Sequence, residues 1–221
     1  MNGMNDFRRT RIGVVEIIII INAILFLPKL LGYYNIFDAL FNLNIRTNSS
    51  FNFDSGAYWQ ALSAMFMHSE RNFMHIVFNM YGLYIFGKPL EIIWGKGKFF
   101  LFYMITGLLT NIASALIFIM TDSSLSLLGA SGAVFAVLLA FASYYPDARL
   151  LLFFFIPLKV KWTVLLFTGI ELFSELFVRD GVAHFAHLFG FLFAFLYLLL
   201  FFRINAIQKM FFPDRDHYNI Y

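Results

Sequence analysis

The sequence predicts an all-α membrane protein, a bundle of six transmembrane helices with both termini on the cytoplasmic side. Three observations lead there. The 221 residues are 61% hydrophobic and only 13% charged, against about 25% charged in an ordinary soluble domain. A core of this size cannot bury so much apolar surface, so the excess must face lipid. The apolar residues fall in six stretches, about 12–32, 72–90, 98–120, 129–145, 162–178 and 183–203, and a bilayer is crossed by about 20 such residues. Basic residues then alternate between loops as topology signals do. Arg8, Arg9 and Arg11 precede the first stretch, and Lys88, Lys96 and Lys98 lie between the second and third. Arg149, Lys159 and Lys161 lie between the fourth and fifth, and Arg203, Lys209 and Arg215 follow the sixth. The opposite loops are poorer for their length: Lys29, Arg46 and Arg71 in the long first loop, none in 121–128, and Arg179 alone before the sixth. An even number of spans agrees independently with termini on one side.

The elements follow in order. The first stretch comes after three arginines, as in a signal peptide. It is long enough to span, and Pro28, Lys29 and Tyr33-Tyr34 follow it rather than a small-residue cleavage site. A retained first helix is expected. Residues 33–71, with Asp38, Asn42, Asn48, Asp54 and Trp59, read as a folded, partly helical interfacial insertion. His75 and Asn79 interrupt the second stretch, and Gly129, Ser131 and Gly132 open the fourth. Between the fourth and fifth, Pro146 and Pro157 bracket a run too short for another span; a buried re-entrant strand or an interfacial segment is expected. Glu171 and Glu175 lie on the fifth stretch, His184 and His187 near the start of the sixth. There is no internal repeat or low-complexity linker, so residues 1–221 read as one domain. The absence of cysteine excludes disulfides, thiolate metal sites and cysteine nucleophiles. The net charge of +3 is too small, and too clustered at span ends, to indicate a nucleic-acid partner.

Polar residues inside a membrane are costly and mark functional positions. The expected topology brings four of them to a similar outer depth from three helices: His75 and Asn79, Ser131, and His187. Glycines around Ser131 leave its hydroxyl uncrowded, and a helix N-terminus offers free N–H groups to an oxyanion. The plainer reading is a small-residue packing patch. His187 can take a serine proton and return it to a leaving amine, or be a structural histidine. His75 and Asn79, spaced i, i+4, share a helix face and can donate to one oxyanion, or simply bridge helices. Phe135, four residues after Ser131, can stack on His187 or be an ordinary core aromatic. His184 and His187 stand three apart, but no His-Glu-x-x-His carboxylate accompanies them, so zinc has little support. Glu171 and Glu175 raise a rival, a proton or ion path in a small transporter, although no second half of the sequence mirrors them.

These residues together resemble the rhomboid family of intramembrane serine proteases. His75-Ile76-Val77-Phe78-Asn79 is similar to the family's His-x-x-x-Asn, and Gly87 with Leu90-Glu91 to its Gly-x-x-Leu-Glu. Gly129-Ala130-Ser131-Gly132 looks like the Gly-x-Ser-Gly nucleophile motif, and Ala186-His187-Leu188-Phe189-Gly190 like the Ala-His-x-x-Gly of the last helix. The resemblance covers about 55–203. It implies a nucleophile, Ser131, and a base, His187, acting as a dyad without a third carboxylate. It also implies an oxyanion hole of His75, Asn79 and the Ser131 amide, and a ring at Phe135, where the family often has Tyr, stacked on the histidine. Gln60 stands after Trp59 where many members have Arg, and Ala194 where the last helix usually has a second Gly. The implied substrates are single-span or other transmembrane proteins within the lipid bilayer, with no cofactor or metal. The short tails and the absence of a transit peptide lead to the expectation of a bacterial cytoplasmic membrane, and the expected topology turns the site outward. A non-catalytic rhomboid-like binder or chaperone is the alternative, and the intact dyad favours the enzyme.

Overall fold

The computed structural model describes residues 12–152, 155–177 and 184–212. Arg8, Arg9, Arg11, Arg179 and Arg215, which carry part of the expected topology, lie outside the described residues. Each of the six apolar stretches forms a helix. They are α1 (Val14–Pro28), α4 (Phe73–Trp94), α5 (Lys96–Met120), α6 (Ser131–Tyr144), α7 (Val160–Phe177) and α8 (His184–Tyr197). Among the described residues, three helices are long and apolar enough to cross a membrane by length and composition. These are Val14–Phe41, which joins α1 to α2 (Tyr34–Phe41) across a kink at Gly32, Lys96–Met120, and His184–Phe202, which extends α8 by a π-helical turn. The chain is mostly helical, and it is an integral membrane protein.

The bundle is apolar outside and carries polar groups within. Ile17, Ile20, Ile21 and Ile24 of α1 are exposed, as are Leu165, Leu166, Ile170, Leu172 and Phe173 of α7. Asn22, Thr106, Thr110, Asn111, Ser114, Glu171 and His184 are buried. Helix α6 lies at the centre, with every residue from Ala136 to Ser143 buried. Its small side chains let α8 approach until backbone meets backbone: a Cβ at Gly190 would stand 2.2 Å from the Gly132 carbonyl oxygen. Ala194, where the family usually has glycine, is fully buried. At the opposite end Glu91 closes the start of α1, accepting from the Val14 and Val15 amides at 2.7 and 3.2 Å. That caps two of the N–H groups a helix start leaves unpaired.

The first loop is folded, as expected. It contains α2, a strand β1 (Leu43–Ile45), a short helix α3 (Gln60–Ser63) and two 3₁₀ turns. Strand β1 pairs antiparallel with β2 (Leu125–Leu127), Leu43 facing Leu127, and Leu43 and Ile45 are buried against Ala64 and Ala115. Gln60 fills the place of the family's arginine and is itself buried. Its carboxamide accepts from the Asn44 amide at 3.0 Å and donates to the Ala39 and Phe51 carbonyls at 3.1 and 3.2 Å. Lys29, counted in sequence as a loop charge, is buried. It pairs with Asp38 at 2.6 Å and Glu70 at 3.4 Å and donates to the His68 carbonyl at 2.7 Å.

Of the two readings of the segment between α6 and α7, a buried re-entrant strand or an interfacial segment, the structure excludes the first. The segment is not a buried strand but a hairpin of β3 (Arg149–Leu152) and β4 (Ile156–Lys159), with Leu151, Phe155 and Ile156 exposed. The strands satisfy each other's backbone groups, so burial against the bundle is unnecessary. Lys159 and Lys161 hold Asp147 beside it, at 2.9 and 3.0 Å, and keep its carboxyl well below the usual range, at about 2. A final short helix α9 (Ala206–Phe211) packs its buried Ala206 and Met210 under α6.

Candidate active site

Three helix N-termini meet at one end of the bundle. Ser131 is the first residue of α6, His187 the fourth of α8 and His75 the third of α4. Helix N-termini carry partial positive charge. The start of α6 has no side-chain cap, so its backbone donors suit a developing anion.

Local sequence explains how Ser131 is delivered. Gly129 has φ +125°, a conformation that side chains rarely adopt, and a Cβ there would lie 2.9 Å from the His75 ring. Glycine is thus required twice, for the turn into α6 and for the close approach of His75. The turn is anchored from the first loop: the Gly129 amide donates to the Ala64 carbonyl at 2.9 Å, two residues after β2 ends. Asn111 of α5 ties the same loop down by donating to the Ala61 carbonyl at 2.9 Å.

Ser131 Oγ and His187 Nε2 are 2.8 Å apart. The Phe135 ring lies on the His187 ring, with centroids 4.4 Å apart and planes within 9°; Phe167 and Phe191 pack around Phe135 in turn. His75 stands beside Gly129, and Asn79 is buried one turn further in, its amide donating to the His75 carbonyl at 2.7 Å. The site therefore gathers Ser131, His187, Phe135 and His75, while the Asn79 amide bonds its own helix. Both ring nitrogens of His187 have neighbours, and the second was not anticipated. Its Nδ1 lies 2.9 Å from Glu171 Oε1 of α7, while Glu171 Oε2 is 2.5 Å from His184 Nδ1. The contact to His187 is close but does not form a hydrogen bond. Glu175, one turn on, accepts from the Phe185 amide at 3.0 Å and so caps the start of α8. The i, i+4 spacing of these glutamates was legible; their facing α8 was not.

Among the described residues, Glu171, His184 and His187 are the one group that could hold a metal ion, with ligand atoms within 4.8 Å of one another. The carboxylate missing from the His-x-x-His motif thus arrives from another helix. Without an ion, each carboxylate oxygen already faces one imidazole.

Known proteins share sequence with this chain. The family model for the rhomboid domain matches residues 55–204. The chain is 30% identical over 172 residues to RHOMBOID-like protein 12, mitochondrial, of Arabidopsis thaliana, covering 71% of this chain and 50% of that protein. It is 36% identical over 100 residues to Rhomboid protein 1, mitochondrial, of Saccharomyces cerevisiae, covering 42% of this chain and 27% of the relative. A Bacillus subtilis protein provisionally named as a rhomboid protease is 29% identical over 83 residues, 38% of this chain and 39% of its own length. The chain thus spans half or less of these relatives.

Proposed function

Because the chain belongs to the rhomboid family, we propose that it is an intramembrane serine endopeptidase that cleaves transmembrane-segment substrates with Ser131 and His187. The observation that carries this reading is the 2.8 Å contact between Ser131 Oγ and His187 Nε2 at the N-termini of α6 and α8. A neutral His187 takes the Ser131 proton as Oγ attacks the scissile carbonyl. The imidazolium returns that proton to the leaving amine, and water then hydrolyses the acyl-enzyme by the same route. Charge on the carbonyl oxygen is met by the α6 N-terminus, His75 and Asn79. Asn79 reaches the oxyanion with its second amide proton or by releasing the His75 carbonyl. Loss of one such donor costs about 3 kcal/mol of barrier. The Phe135 ring holds the plane of His187.

The reading includes one membrane domain over 1–221, with six spans and both termini cytoplasmic, as the loop charges argue, so that the site faces the outer side. A bacterial cytoplasmic membrane gains no support from the named relatives, two of which are mitochondrial. The test needs no natural substrate. Purified protein in detergent is treated with a fluorophosphonate probe beside Ser131→Ala and His187→Ala variants. Labelling of the wild type alone is expected. A folded wild type that stays unlabelled while an active rhomboid protease labels in parallel would return the protein to a binding role.

A further inference from the structure

We propose that Glu171 is a positioning residue for His187, making a Ser131–His187–Glu171 relay in which the carboxylate selects the tautomer of the base. The proposal rests on the protease reading above. Ser131 Oγ lies 2.8 Å from His187 Nε2, and Glu171 Oε1 lies 2.9 Å from the ring's other nitrogen, Nδ1, near enough to bond it after a small rotation although no hydrogen bond is formed in this structure. A carboxylate on Nδ1 requires the proton there, which leaves the Nε2 lone pair facing the serine hydroxyl. That is the tautomer a general base needs, and the order of groups is that of a serine–histidine–carboxylate triad. Phe135 cannot make this choice. A stacked ring fixes the plane of the imidazole but does not distinguish its two nitrogens.

Two further observations argue that Glu171 is built for this place. Its neighbours Ile170, Leu172 and Phe173 on α7 are exposed on the apolar surface, whereas Glu171 itself is buried. A carboxylate at such a position is costly unless both oxygens are engaged, and here each faces one imidazole. His184 takes Oε2 at 2.5 Å. That contact fixes the rotation of the carboxylate and leaves Oε1 for His187. His184 is thus a second, outer positioning residue. Glu175, bonded to the Phe185 amide, holds the start of α8 in register with α7, so Glu171 meets the histidine on a fixed helix pair. As the bond to serine tightens and His187 gains its proton, the facing carboxylate stabilises the imidazolium.

The experiment has two arms, both in detergent with EDTA present. The first uses wild-type protein with ¹⁵N-labelled histidine, the His187 signal being assigned by its loss in His187→Ala. Protonation at Nδ1 is expected at neutral pH; a dominant Nε2-protonated tautomer would overturn the proposal, whatever any variant does. The second measures the fluorophosphonate labelling rate of Glu171→Ala and Glu171→Asp, with thermal unfolding alongside. Glu171→Ala is expected to label about 100-fold more slowly while still folded. Glu171→Asp is expected to recover part of the loss, since its carboxylate falls one methylene short. With a transmembrane peptide substrate, the loss should fall on kcat rather than KM. A folded Glu171→Ala that labels within threefold of wild type refutes the positioning role and leaves the Ser131–His187 reading intact. A wild type that fails to label through Ser131 refutes that reading instead. A wild type that labels only when EDTA is left out would make the cluster a metal site and overturn the relay.

Discussion

Gly190→Ala should disable the protein out of proportion to its size. A glycine inside a helix ordinarily costs about 0.5–1 kcal/mol relative to alanine, so on propensity alone the change would stabilise α8. The contact decides otherwise. The new Cβ would meet the Gly132 carbonyl oxygen at 2.2 Å, where ordinary contact begins near 3.4 Å, and the Phe135 Cβ at 3.3 Å. The first obstacle is backbone, which cannot rotate away, so α6 and α8 must part by about 1 Å. Overpacking of this kind costs about 1–3 kcal/mol, enough to outweigh the propensity gain. The larger effect falls on the site. Gly132 follows Ser131 and Gly190 lies one turn after His187, so widening at the glycines stretches the 2.8 Å contact between Ser131 and His187 beyond hydrogen-bonding range. Misplacement of reacting groups by 1 Å costs about 100-fold in rate. The assay is the fluorophosphonate labelling rate beside thermal unfolding. Gly169→Ala on α7 is the control, because a Cβ there meets nothing within 4 Å. It should label normally and unfold at the same temperature or slightly higher. Wild-type labelling and stability in Gly190→Ala would refute the claim that glycine contact sets the spacing of the pair.

Gln60→Ala should destabilise the first loop by about 1–3 kcal/mol, since it strands the buried Asn44 amide and takes a donor from the Ala39 and Phe51 carbonyls; limited proteolysis within 43–66 reads the loosening. His68 gives a pH test. Burial first, and the neighbouring His75 second, hold its pKa at about 3 against an ordinary 6.5, and neither ring nitrogen reaches a hydrogen-bond partner among the described residues. The folded protein therefore binds this proton more weakly than the unfolded chain. Stability from this group is complete above pH 6.5 and is lost as pH falls from there toward 3. The loss should be about 2 kcal/mol between pH 6.5 and 5. His68→Leu should flatten that slope in unfolding experiments; an unchanged slope would place the titration elsewhere.

How much of this was legible depended on the physics each feature uses. The helices were readable because a membrane-facing helix advertises itself as an unbroken apolar run, and all six runs in the chain form helices. Ser131, His187, His75 and Asn79 were readable because each breaks such a run. What no local pattern could supply was partnership across long separations. Leu43 pairs with Leu127, yet three-residue strands inside a polar loop carry too little alternation to be recognised. Gln60 bonds three backbone groups of the first loop, but a glutamine in place of an arginine looks in sequence like a missing anchor. Glu171 is the telling case. Its spacing to Glu175 defines one face of α7, but a helix surrounded by lipid on one side and apolar neighbours on the other gives little sign of which face turns inward. Only the packing of α7 on α8 reveals the histidines opposite.

The direction of the buried hydrogen bonds separates ordinary polar residues from those of the site. Asn22, Thr106, Ser143 and Thr168 each donate to the carbonyl four residues earlier on their own helix. Such bonds satisfy the side chain where it stands and commit it to nothing across the bundle. The contacts between side chains of α6, α7 and α8 are of another kind: Ser131 with His187, Glu171 with His187, and Glu171 with His184. Each needs two helices held at a fixed separation, and each would leave a polar group unpaired if either helix moved. Back-bonded threonines survive small shifts of a helix; a linked serine, histidine and glutamate do not. The close glycine contact between α6 and α8, the cap that Glu175 places on α8, and the first loop pinned to Gly129 all restrain the helices that carry this one chain of contacts. Rigidity is therefore concentrated around these contacts, and the bonding pattern of the interior picks them out, beside the bond from Trp94 of α4 to Tyr144 of α6, without reference to any motif.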